Sequence, residues 1–141
     1  MPSFAPTGCA TPVARTRDIV SYIESVSKAS DLSNPLSAQS KAKEWLLSED
    51  LNTNGCDGGT ALSQRYGLAM FYFSTNGQSW NKTDNWLTSS SHECDWFGID
   101  CEGSNFVEDI NLRKSYRQIS LHFSKKYISF HPNNIPLFSR I

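Results

Sequence analysis

Apolar residues recur at helical spacing in three stretches of this chain. Ile19, Val20, Ile23 and Val26 fall at i, i+1, i+4 and i+7, which places them on one face of a helix from Arg15 to Lys28. Ala38, Ala42, Trp45 and Leu46 share a face of a second helix ending near Glu49, with Asn34 as its N-cap and Pro35 at the first helical position. A third helix opens at Thr60, carries Leu62, Tyr66, Ala69, Met70 and Phe73 on its periodic positions, and meets a left-handed stop at Asn76-Gly77. Residues 52–59, rich in Asn, Asp and Gly, read as the loop between the second and third helices.

Beyond Gly77 the helical period disappears. Trp80, Trp86 and Trp96 lie among Ser, Asn, Asp and Gly, which predicts irregular backbone pinned by buried indoles. Phe106, Val107, Ile110 and Leu112 then form a short apolar segment in which Ile110 and Leu112 have the period-two spacing of a strand. The expected fold is mainly α with minor β: about three helices, a cap loop and one short strand. Trp45, Tyr66, Phe73, Trp80, Trp86, Trp96, Ile110 and Leu112 are its expected core anchors. Residues 1–14, rich in Pro, Ala and Thr, read as a disordered leader; residues 15–112 form the domain; residues 113–141 read as a disordered tail. No internal repeat is visible.

The 141 residues have room for one ordinary domain. The net charge of -1 is a cancellation. Residues 1–112 carry all 14 acidic residues and 7 basic ones, whereas residues 113–141 carry 6 basic residues and no acid. An acidic body does not suit a nucleic-acid binder, which needs clustered Lys and Arg against phosphate. The longest apolar run, Leu68 to Phe73, is far below the ~20 residues that span a bilayer, so direct membrane insertion is not expected. The segment from Met1 to Gly8 has neither the basic nor the apolar stretch of a signal peptide.

The most informative segment is Cys94-Asp95-Trp96-Phe97-Gly98-Ile99-Asp100-Cys101. A disulfide between Cys94 and Cys101 would close a loop of about eight residues and remove roughly 2.5 kcal/mol of unfolded-state entropy. Gly98 would allow the turn and Trp96 would fill the space beneath it. Zinc is a poorer reading, because six residues separate the cysteines and His92 is the only imidazole nearby. A catalytic reading would pair His92 with Glu93, Asp95 or Asp100, but such carboxylates are ordinarily solvated loop residues. The disulfide clamp is the preferred reading. Cys9 and Cys56 have no evident partners.

The run from Gln64 to Gly77, followed by Trp80, Trp86-Leu87 and the Cys94–Cys101 segment, resembles the N-terminal capping region of leucine-rich repeat proteins. The C-x-W-x-G-I-x-C pattern is similar to that of plant receptor-like proteins and kinases. The longer pattern looks most like the leucine-rich repeat families of diatoms and related algae. The resemblance covers roughly Arg15 to Leu112. It implies a cap over the open apolar end of a repeat solenoid, with residues 107–112 as the first repeat strand and Ile110 and Leu112 facing the solenoid core. After Leu112 the pattern departs: Ser115, Arg117, Ile119 and Ser120 stand where repeat consensus residues would be.

What the resemblance implies is a non-enzymatic fragment of a cell-surface recognition protein. Its full-length form would bind a protein, peptide or glycan through further repeats, and no cofactor or metal is expected. The sequon at Asn81 and the expected disulfide argue for an oxidising compartment, and a signal or anchor is then expected upstream. The abrupt change at residue 113 suggests a tail of separate origin; a basic aromatic arm around Lys125-Lys126 is the weaker reading. Two other functions compete: a small secreted hydrolase using His92 and nearby carboxylates, and a free-standing interaction module.

Overall fold

The computed structural model describes residues 11–50, 53, 60–103, 106–112 and 120–122. Four α-helices precede a small sheet: α1 (Pro12–Val26), α2 (Ala29–Ser33), α3 (Ala38–Ser48) and α4 (Thr60–Ser74), then β1 (Ile99–Glu102), β2 (Phe106–Asn111) and β3 (Ser120–His122). Short 3₁₀ turns at Gly77–Ser79 and Glu93–Asp95 bracket the irregular tryptophan segment. The architecture is therefore mainly helical with minor β, as expected.

Local chemistry moves several boundaries. The first helix starts before Arg15, because the Thr11 hydroxyl accepts the Ala14 amide at 3.2 Å and Pro12 opens the helix. Residues 11–14 are therefore ordered, and Ala14 is buried, contrary to a leader reaching residue 14. Asn34 does not cap the next long helix. Its Oδ1 accepts the Leu36 amide in an Asx turn at the end of α2, and Ser37 caps α3 by accepting the Ser40 amide at 3.0 Å. Residues 29–33 form a helix unforeseen from periodicity, because Leu32 is the only large apolar residue they contain.

Helix α4 is the central element and is enclosed on most sides. Leu62, Tyr66, Leu68, Ala69 and Phe71 are all buried, along with Gln64 and Arg65. It packs chiefly against α3, and α1 lies on α3 through the fully buried Ile19 and Ile23. Asn76 takes the expected left-handed conformation (φ 55°), and Gly77 lies where a Cβ would enter the Tyr72 ring.

The sheet is antiparallel in the order β1-β2-β3, so three strands replace the single one expected. Asp100 faces Asp109 while Cys101 faces Val107, which leaves Glu108 as the extra residue of a bulge. This bulge brings Val107 and Ile110, three positions apart, onto the same buried face opposite Cys101 and Ile99. Leu112 is also fully buried. β3 pairs Ser120, Leu121 and His122 with Asn111, Ile110 and Asp109, so residues 120–122 are strand and not the disordered tail expected there. The rest of the tail lies outside the described residues.

Gly98 enters β1 at φ +79°, and a Cβ there would stand 2.5 Å from the Asn111 carbonyl oxygen. Gly103 is also left-handed, at φ +64°, but a Cβ there meets nothing within 4 Å. Gly98→Ala should therefore cost roughly 2–4 kcal/mol, combining backbone strain with overpacking. Gly103→Ala should cost only about 1–2 kcal/mol, a difference that urea denaturation of both variants resolves.

Candidate functional site

Arg65 is the only charged residue of α4, and it points into the interior. Its five N–H donors are all used. Nε and Nη2 donate to Asp50 Oδ1 at 3.0 and 2.8 Å, and Nη1 donates to Glu93 Oε2 at 2.9 Å. The two remaining N–H groups reach the Ser91 and Thr88 carbonyls at 3.0 and 3.2 Å. The guanidinium lies against two adjoining indoles, with its central carbon 5.1 Å from the ring centroids of both Trp45 and Trp96.

The network extends outward on both sides. Glu93 Oε1 accepts from Gln64 Nε2 at 2.6 Å, and Gln64 Oε1 accepts the Val107 amide at 2.8 Å, which ties α4 to β2. Asp50 Oδ2 accepts the Thr53 amide. Arg15 reaches in from α1, donating to the Thr53, Leu46 and Asp50 carbonyls at 2.6, 2.9 and 2.6 Å. The carboxylates of Asp50 and Glu93 are thus satisfied in an interior that would heavily penalise an unpaired charge.

The predicted anchors converge on this centre. Trp80, Trp86 and Trp96 form a continuous run of ring contacts, edge-on for the first pair (centroids 5.0 Å apart) and tilted for the second (5.1 Å), and Trp45 meets Trp96 edge-on. Every indole N–H is satisfied: Trp45 by Leu87 O, Trp80 by Thr75 O, Trp86 by Phe97 O and Trp96 by Ser91 Oγ. Tyr66 is buried and shares a 2.7 Å hydrogen bond with Ser27. Phe73 differs from expectation: it is half-buried at the margin, and Phe71 takes the interior position against Trp80 and Trp86. Ile110 and Leu112 are buried.

Cys94 and Cys101 are joined, with their Cα atoms 5.7 Å apart, so neither is a metal ligand. Among the described residues no group of three His, Cys, Asp or Glu is placed to hold a metal. His92 Nδ1 accepts the Cys94 amide and caps the turn, Glu93 faces Arg65, and Asp95 and Asp100 are exposed. Asn81 is exposed. Cys9 and Cys56 lie outside the described residues. An open cleft of about 630 Å³ lies elsewhere, between α3 and the end of α4. Its lining includes Lys41, Glu44, Glu49, Phe73, Gln78 and Leu87.

Sequence reasoning placed the indoles but missed the buried network of Arg65, Asp50, Glu93 and Gln64, naming Glu93 only as a possible partner of His92. A single charge inside the apolar α4 stretch was the available signal, since such a charge is either kinked out to solvent or paired.

No protein-family model, curated protein or solved structure matches the chain. Among the described residues no helix is long and apolar enough to cross a membrane.

Removing one partner of the buried network strands the others. Glu93→Ala and Arg65→Lys should each cost roughly 3–5 kcal/mol, while Lys82→Ala, in an exposed pair with Asp84, should stay within about 1 kcal/mol. Thermal denaturation of the three variants checks this order. A second expectation concerns pH. Burial pushes the Tyr66 phenol up from 10.0 to about 12, with the Ser27 hydrogen bond opposing and Tyr22 and Asp31 adding to the rise. The unfolded chain releases this proton near pH 10.0, whereas the folded chain holds it to about 12, so stability falls as pH climbs through that window. Tyr66→Phe should flatten the fall in urea titrations across it.

Proposed function

We propose that this chain is the non-catalytic end cap of a leucine-rich repeat recognition protein, in which further repeats bind a protein, peptide or glycan. The observation that carries the reading is the β1–β2 hairpin. Its buried face of Ile99, Val107 and Ile110, continued by Leu112, is clamped by the disulfide at one end and laid against the helical layer and its indoles. Such a unit covers an apolar end on one side and offers a strand on the other, which is what a solenoid terminus needs. The resemblance in the Cys94–Cys101 segment supports the same assignment. The disulfide and the exposed Asn81 sequon support an oxidising, extracellular setting.

One observation favours a second reading, a free-standing interaction module. β3 lies antiparallel on the edge of β2 to which the next repeat strand would otherwise add.

The two readings separate in a chain carrying leucine-rich repeats directly after Leu112. The cap reading expects one cooperative melting transition, several degrees above that of the repeats alone. Two independent transitions, with the repeats unaffected, would favour the free-standing module and overturn the cap.

A further inference from the structure

The cleft between α3 and the end of α4 has no part in the capping role, and its chemistry is specific. Its floor is apolar, made by Phe73, Leu87 and Trp45, and its rim carries Lys41, Glu44, Glu49 and Gln78. The volume of about 630 Å³ is that of a small-ligand site.

Three observations describe the cleft, and the first and third of them give it a ligand class. The first is uncovered aromatic surface. The four tryptophans are buried, yet Phe73 is only half-buried, and its described ring contact is an edge-on one with Tyr72 at 5.5 Å. Tyr72 itself stacks on Trp86 and is pressed by Gly77, so Phe73 provides the open ring. The second is backbone strain in the cleft wall. Leu87 is left-handed (φ 56°), a conformation disfavoured for a residue of its size, and it is held there by the Trp45 indole N–H donating to its carbonyl at 3.1 Å. The third is charge. Glu44 and Glu49 are both exposed and outnumber Lys41 on the rim, within a body where 14 acidic residues outnumber 7 basic ones over residues 1–112.

An open ring beside two carboxylates suits an organic cation carried on a hydrocarbon stem. A neutral sugar would leave the carboxylate charge unanswered, and an anion would be repelled. We propose that this cleft binds an arginine or lysine side chain of an extended partner peptide, its stem on Phe73 and Leu87 and its charged head towards Glu44 and Glu49. The site lies on the helical layer, so it stands or falls separately from the cap assignment.

The test is an amide chemical-shift titration of the full chain with a blocked Gly-Arg-Gly-Arg-Gly peptide. Its comparison ligands are Gly-Glu-Gly-Glu-Gly, spermidine and maltotriose. The expected result is a saturable shift at Lys41, Phe73 and Gln78 with the arginine peptide, weakening several-fold when salt is raised from roughly 50 to 300 mM. Glu44→Gln with Glu49→Gln should weaken binding about tenfold with Tm unchanged, and Lys41→Glu should strengthen it about threefold. The proposal is overturned by the absence of a saturable shift at these residues, or by undiminished affinity in the double variant. Equal or tighter binding of spermidine assigns the cleft to free polyamines, and preferential binding of maltotriose assigns it to glycans; either result overturns a peptide partner.

Discussion

A guanidinium moved out of water must find partners for five N–H donors and a counter-charge, and Arg65 finds all of them within one small domain. Asp50 follows α3, Glu93 sits in the turn before the sheet, and the Thr88 and Ser91 carbonyls belong to the irregular segment. Four separate stretches of chain are therefore held at distances fixed by one planar group. The irregular segment has little regular secondary structure of its own. It is ordered because its carbonyls and indoles are needed at the centre.

The aromatic residues complete what the charge begins. Trp45 and Trp96, in edge-on contact with each other, both lie against the guanidinium and help to exclude water, which strengthens every hydrogen bond made there. Trp96 also lies between the two cysteines in sequence, so the disulfide that closes this short loop holds the indole over Arg65. The bulge at Glu108 lets β2 present both Val107 and Ile110 to the same interior, and the Gln64 side chain fastens the Val107 amide to α4. Electrostatics, ring packing and strand geometry thus meet on the same few residues.

Much of this was legible in the sequence, and the exceptions have physical reasons. Ile19, Ile23, Ala42, Trp45, Leu46, Leu62 and Tyr66 keep helical spacing and are buried, because amphipathic periodicity directly records which face meets the core. The four tryptophans and the clamp were equally visible. Helix starts were not, since Thr11, Asn34 and Ser37 are all competent caps and the choice among them depends on which side chain is already engaged in a turn. Phe71 and Phe73 sit two positions apart on a helix enclosed on most sides, so periodicity alone does not rank them. The buried ionic network was illegible because Arg65 meets Asp50 and Glu93 across sequence separations of 15 and 28 residues, and no local pattern encodes such a meeting.

Those separations also order events during synthesis. The N-terminal helices leave the ribosome before the residues that enclose them: when α4 is complete, Glu93 and the three indoles beyond it have yet to be translated. At that moment Arg65 has Asp50 for a partner and no second carboxylate, and α4 has Tyr22 and Trp45 beside it but not Trp80, Trp86 and Trp96. The helical half thus lacks part of its hub until the segment around the Cys94–Cys101 disulfide follows and brings Glu93 and Trp96. The buried network around Arg65 can therefore be completed only after residues 88–96 have been made, well after α4 itself.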